Sequence, residues 1–192
     1  MPITMEELKK GIALANIKLV VIRTASRHYL MKTASEAGLK PRVSAGTENE
    51  LRKGDVILSQ YITHDIIKGY DLELTDVLLY PKVLALVDGG VSIFDAQEDF
   101  ESYTAPALGE VTEREALGVD IYCGNLDTGG NPVDYMKYSL DGCLGKPCEF
   151  TFKDGEFYAP KYTMISTPPF GMAPLSIAKI TVSELPAAPV NP

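Results

Sequence analysis

Hydrophobic and polar positions alternate with a period of two over much of this chain, and the pattern changes most clearly between residues 71 and 90. In DLELTDVLLYPKVLALVDGG, Leu72 and Leu74 fall on one face and Asp71 and Glu73 on the other, as in a half-buried strand. From Pro81 the spacing becomes helical. Proline suits the first helical turn, where its missing N–H leaves no bond unmade, and Gly89 and Gly90 supply a stop. Val83, Leu84, Leu86 and Val87 crowd the segment with apolar groups, and only Lys82 and Asp88 are clearly polar. So short a helix is not stable alone in water. These four residues are therefore predicted to form a core helix, buried against a sheet.

The rest of the pattern is strand-like. IKLVVIRTA (17–25) is rich in β-branched residues and reads as a strand, with HYLMKT (28–33) as its partner. VILSQYI (56–62) is the next strand, and DIIKGYDLELTD (65–76) follows with a kink at Gly69. Beyond the helix, VSIF, GVDIYC, VDYMKYSL, PCEFTF, KYTMIS and LSIAKITV are short strands set between turn signals. Asp154-Gly155 in FKDGEF is a two-residue hairpin turn. Residues 4–13 are predicted as a short helix capped by Thr4, with Glu6 and Glu7 at its positive end and Gly11 interrupting it. Many short strands and one principal helix predict a mainly β fold, a β-sandwich or split barrel with an α-helix packed against it. Residues 1–185 are assigned to one domain and 186–192 to a Pro-rich extended tail.

Two stretches resist a core reading. SEAGLKPRVSAGTENELRKGD (35–55) has the Gly, Ser, Thr, Glu and Asn content of a loop or extended arm. DAQEDFESYTAPALGEVTEREALG (95–118) is long, acidic and weakly periodic, and reads as a surface excursion.

Charge narrows the function classes. The net charge is −8, from 18 basic and 26 acidic residues. That argues against a broad phosphate-binding face, because nucleic-acid affinity comes largely from Lys and Arg displacing counterions. It suits a wall that DNA slides past. Cys123, Cys143 and Cys148 match no zinc-ligand spacing and read as buried, reduced thiols. No metal and no cofactor is expected. No signal peptide is read at the start, and IKLVVI is too short and too close to Lys18 and Arg23 to span a bilayer, so a cytoplasmic product without a membrane partner is expected.

Local motifs supply no catalytic set. Asp127-Thr128-Gly129 has the triplet of aspartic proteases, but no second copy shares the proton, and the Gly-Asn-Pro that follows reads as a turn. His28 and His64 are the only histidines. His64 adjoins Asp65, but neighbours on a strand point to opposite faces. Asp95, Glu98, Asp99 and Glu101 lack the spacing and glycine of a calcium loop and read as a solvated face. GGNP ends in a proline, which removes a donor that a phosphate cradle requires. The ten tyrosines are scattered and suit core or interface use. The expectation is a non-enzymatic structural or assembly protein. A small enzyme using His64 or the Asp127 loop is the minor alternative.

Two longer stretches resemble a known family. ELRKGDVILSQYITHDIIKGYDLELTDVLLYPKVLALVDGG (50–90) is similar to the tail tube (major tail) proteins of tailed bacteriophages and related prophage elements. The shared order is a strand, a polar turn, an IxKGYDLELxD strand and a PxVLALVDGG helix. DGEFYAPKYTMISTPPFGMAPLSIAKI (154–180) resembles the C-terminal part of the same family. The stretch 95–143 does not fit the pattern and is the candidate for an insertion. The resemblance implies hexameric rings stacked into a hollow tube for DNA passage, with adjacent sheets joined into an inner barrel. It implies self-association, tape-measure and tail terminator proteins as partners, only transient non-specific contact with DNA, and a place in the virion tail after synthesis in the host cytoplasm. It also implies that the arm near 44–55 reaches a neighbouring subunit. There Glu48 and Glu50 precede Arg52 and Lys53, so the acids of one copy can meet the bases of the next. Two alternatives stand beside this: a mobile surface loop for the arm, and a β-sandwich receptor- or carbohydrate-binding tail module with an exposed aromatic patch for the whole chain.

Overall fold

The computed structural model describes residues 11–109 and 111–186. Its elements in chain order are β1 (Leu14–Arg23), β2 (His28–Met31), β3 (Ala34–Ser44), β4 (Glu48–Lys53), β5 (Val56–Ile62) and β6 (Ile66–Asp76). The helix α1 (Pro81–Asp88) follows, then β7 (Val91–Phe94), β8 (Phe100–Thr104), β9 (Leu117–Leu126), β10 (Pro132–Gly145), β11 (Lys161–Ser166), β12 (Ser176–Ile180) and a 3₁₀ turn (Val182–Glu184). The fold is mainly β with one α-helix among the described residues, as the alternation and the single helical stretch predict.

One antiparallel sheet dominates, in the order β2-β1-β9-β10-β11-β6-β3, with β12 added to β10. Its two end strands, β2 and β3, are separated in the chain by Lys32 and Thr33 alone. The ends are thus one bent run, pairing with β1 through β2 and with β6 through β3, and β3 also approaches β1. The sheet closes on itself as a barrel. It is split at β10. Tyr135–Ser139 of that strand pair with β12, whereas Cys143–Gly145 pair with β11.

The barrel interior follows from the alternation. Val20 and Ile22 of β1, Leu72 and Leu74 of β6, Val119 and Ile121 of β9, and Tyr162 and Met164 of β11 share one core. Val83, Leu84 and Val87 of α1 are buried in that core, and Leu86 is half-buried against it. Burying such side chains contributes about 1.5–3 kcal/mol each, which outweighs the weak intrinsic stability of an eight-residue helix. The approach is close: a side chain on Gly145 of β10 would collide with the Val87 carbonyl of α1. The opposite face of α1 is covered by the β7–β8 hairpin, where Ser92 Oγ donates to the Pro81 carbonyl at 2.8 Å. The helix therefore lies between the barrel and a second, two-stranded layer.

Several expectations are corrected. Residues 35–44 are not loop: they form most of β3, in register with β6 from Ala34↔Asp76 to Ser44↔Ile66. The polar composition hid the strand because only Ala37 and Leu39 turn toward the core, and Pro41 is tolerated because β3 is an end strand of the sheet. Residues 48–53 and 100–104, read as arm and excursion, are strands too. PCEFTF is not a strand and contributes one isolated bridge, Glu149↔Lys161, although Asp154-Gly155 does make a turn. The stretch 95–143 contains β9 and most of β10, the central strands of the barrel, so only its first part is peripheral. The kink at Gly69 is a register slip opposite Arg42 and Val43; a side chain there would strike the Ser166 carbonyl. The helix expected over 4–13 falls outside the described residues as far as residue 10, and residues 11–13 are not helical. Most of the tail at 186–192 also lies outside them.

Candidate self-association surface

The β3–β6 pair does not stop at the barrel rim. It continues through residues 45–47 and 63–65 into the β4–β5 hairpin, which forms an arm. The base is tied by backbone and side chain together. Gly46 N–H donates to Asp65 Oδ1 at 2.7 Å, Thr47 N–H to Thr63 Oγ1 at 2.6 Å, and Thr63 N–H to the Thr47 carbonyl at 2.9 Å. This fixes how the arm leaves the body.

Every residue of β4 and β5 is exposed. Six of them are large and apolar: Leu51, Val56, Ile57, Leu58, Tyr61 and Ile62, with Leu51 at 62% and Tyr61 at 66% exposure. Cross-strand partners share a face, so Glu48 and Ile62 lie on one side, and Asn49, Tyr61, Leu51 and Ser59 on the other. Apolar groups occur on both sides. A two-stranded hairpin is marginal in water without a third layer, and this one has none among the described residues.

The charges predicted at the contact are placed as follows. Glu50 and Arg52 pair with each other, at 2.5 Å. Glu48 accepts a hydrogen bond from the Gln60 amide across the hairpin. Lys53, at the turn, makes no ion pair among the described residues. The arm thus consumes one of its acid–base pairs internally and presents Glu48 and Lys53 outward.

A second surface lies around the C-terminal end of α1, and sequence reading missed it. Asp88, one of the two clearly polar residues of the helix, is buried at 5% exposure. Its carboxylate accepts from the Tyr103 hydroxyl of β8 and from the Cys148 N–H at 2.8 Å. Its carbonyl accepts from Arg114 Nε at 3.1 Å and Nη2 at 2.8 Å. Burial, and then the hydrogen bond to Asp88, raises the Tyr103 hydroxyl above its ordinary range. Burial and the same carboxylate push the Cys148 thiol up to about 12, and burial does the same to Cys143. These thiols are held protonated, and all three cysteines are free.

Beside this node is a cleft of about 540 Å³, lined by Pro106, Val111, Arg114, Pro147, Cys148 and Phe150 among others. Next to it the exposed rings of Phe150 and Phe152 and the half-buried ring of Tyr158 form a cluster, with centroids 4.9–6.4 Å apart and Phe152 at 74% exposure. The sequence signal was Cys148, Phe150 and Phe152 at alternate positions. It reads as a strand, but the rings stack on one another and face solvent.

The residues weighed for chemistry are dispersed. Asp127 closes the β9–β10 turn, accepting from Gly129 N–H and Asn131 N–H at 2.8 and 2.9 Å. These backbone donors hold its carboxyl below the usual range. His28 and His64 are exposed at opposite ends of the β2-to-β5 region. Asp95 accepts from Gln97 N–H and Asp99 N–H in the β7–β8 turn. Among the described residues no group of three or more His, Cys, Asp or Glu side chains is placed to hold a metal, and no helix is long and apolar enough to cross a membrane.

No protein-family model matches the chain, and no curated protein matches it. Among solved structures, it is similar to a chain in the cryo-EM structure of the anti-feeding prophage (AFP) baseplate, 6-fold symmetrised. The identity is 10%, over 90% of this chain and 98% of that chain, with a TM-score of 0.45.

Proposed function

We propose that this protein is a non-enzymatic structural subunit of a phage-type tail, and specifically a tail tube subunit that assembles with copies of itself into stacked hexameric rings around a conduit for DNA. The observation that carries the reading is the β4–β5 arm. It is tied at its base, apolar on both faces and unpacked among the described residues. Open strand edges invite pairing with another chain, and β4 and β5 pair only with each other among the described residues. The motif order in residues 50–90 and 154–180 points the same way. So does the net charge of −8, which disfavours retention of DNA on the wall. Tape-measure and terminator proteins are the partners this role requires, in a virion tail.

The test is electron microscopy of the purified full chain. Hollow rods with a regular axial repeat are expected. Dispersed particles at every concentration would sink the tube reading.

A second reading has its own observation. Exposed Phe150 and Phe152, with half-buried Tyr158 against them, form an aromatic patch of the kind a receptor- or carbohydrate-binding module presents. That reading predicts glycan binding by a monomer or trimer, and glycan-array screening of the same preparation separates the two.

A further inference from the structure

We propose that the segment from Pro174 to Leu185 is exchanged between copies. It leaves its own barrel and seats on β10 of a second copy, on the site it occupies here in its own chain. This rests on the self-assembly reading above and adds to it a contact that does not involve the arm.

The barrel closes without this segment. Its path runs β2-β1-β9-β10-β11-β6-β3, and β12 lies off it, paired with β10 alone from Tyr135↔Ile180 to Ser139↔Ser176. β11 holds a different part of β10, Cys143–Gly145. Departure of β12 therefore frees one short strand edge and breaks no link of the barrel.

The seat is specific. Leu19 and Val21 alternate with the core residues Val20 and Ile22 and so point to the outer side of the sheet. There they and Tyr122 form a second apolar cluster, only 2–4% exposed, against which Ile180, Leu185 and Leu30 pack. Lys179 Nζ lies 2.6 Å from the buried Asp134 carboxylate. Beyond β12 the polar bonds of the segment are to itself. Thr181 N–H donates to Glu184 Oε2 at 2.7 Å, and Glu184 N–H to the Thr181 carbonyl at 3.1 Å. Among the described residues, 181–185 make no hydrogen bond to the barrel. The segment carries its own shape, and the same edge, carboxylate and apolar cluster stand on every copy.

The connection suits exchange. Residues 167–173, TPPFGMA, lead from β11 to the segment, with Phe170 fully exposed and Met172 at 56% exposure. The loop doubles back at one turn, where Met172 N–H donates to the Pro169 carbonyl at 3.2 Å and Gly171 has a φ of 88°. Glycine leaves that conformation for an extended one without penalty, and residues before proline favour the extended form. Opened, the loop spans roughly 25 Å. The contacts of the segment are remade on a second copy, including the Ser166 Oγ bond to the Pro174 carbonyl at 3.3 Å and the packing of Leu175 against the core. Exchange thus forfeits no contact, and the high local concentration of neighbours in an assembly favours it.

The test is a disulfide across the seat. Ser139 and Ser176 are cross-strand partners, and such partners are close enough to bridge. The full chain with Ser139→Cys and Ser176→Cys is oxidised either dilute or after assembly, then run on a denaturing gel without reductant. Wild type treated alike controls for Cys123, Cys143 and Cys148. Assembled protein should give bands of two, three and more chains. Dilute protein should give a single, internally bridged chain that no longer assembles. Lys137→Cys with Ala178→Cys repeats the test at a second pair. Rods that yield only internally bridged single chains overturn the proposal and leave the tube reading standing; so does a pre-bridged chain that builds rods like the wild type. Failure of both pairs to bridge in the dilute chain contradicts the seat itself. A wild-type chain that never self-associates removes both readings.

Discussion

Among the described residues two antiparallel hairpins of similar size stand apart from the main sheet, and they have opposite fates. In β7–β8, one face is spoken for: Ser92 bonds to the start of α1, and Tyr103 bonds to Asp88 at its end. In β4–β5 neither face meets the body, and the bonds to it are at the base. The difference is not hydrophobicity, since Val91, Ile93 and Phe100 expose much of their surface as well. It is the presence of inward polar anchors at one hairpin and their absence at the other. An anchored hairpin covers a helix and belongs to the monomer's stability. An unanchored one of equal apolarity leaves its side chains in solvent.

Breaking the support of β7–β8 should have the largest effect. Leu84 of α1 is 3% exposed within the core. Leu84→Asp would bury an unpaired charge and cost several kcal/mol, on the order of 3–5. Thermal denaturation should show an unfolded or severely destabilised chain. An unchanged midpoint would contradict the helix's place between the layers.

Removing one anchor is milder. Tyr103→Phe takes a donor from the buried Asp88 carboxylate, which costs roughly 1–3 kcal/mol. Hydrogen exchange should then quicken in residues 91–104 and stay as it was in residues 48–62. Uniform quickening would mean that the two hairpins are not independent.

The arm should respond in the opposite way. Leu51→Ser with Leu58→Ser should change the stability of the isolated monomer by no more than about 0.5 kcal/mol, as for surface positions generally. The same change should abolish association. A large loss of monomer stability in urea titration would show that the arm packs on its own body after all.

Acid should act on the barrel more than on either hairpin, with a smaller effect. The Lys179 hydrogen bond, and then that of Asn125, holds the Asp134 carboxyl below its ordinary 3.8. Lys161 holds Glu73 below 4.5. A carboxyl whose folded pKa is below its unfolded one stabilises the fold fully above the unfolded value, and the contribution is lost as pH falls through the folded one. Stability should therefore decline below about pH 4. Lys179→Met should flatten that decline; an identical acid limb in the variant would remove Asp134 from the account.

How much of this was legible depends on where each residue's partner lies. The bounds of β5, α1 and β11 could be read because their patterns are local: Val56–Ile62 and Lys161–Ser166 are strand-like, and Pro81 and Gly89 bracket the helix. β4 and β8 were not legible. ENELRK and FESYT owe their conformation to the strands opposite them, not to their own alternation. Pairing over distance also made β3 from a stretch rich in turn formers. The burial of Asp88 was not legible because its partners Tyr103, Arg114 and Cys148 lie up to 60 residues away. The aromatic cleft joins residues near 106, 114 and 150, and no single stretch carries a signal for that.

The most direct measurement is hydrogen exchange on the full chain, in dilute solution and in its assembled form. The account predicts that amides of residues 48–62 exchange quickly when dilute and become strongly protected on assembly. Those at the pairing positions of β7–β8, already anchored in the monomer, should change little. Equal and rapid exchange of the arm in both states would contradict its role as the contact between copies.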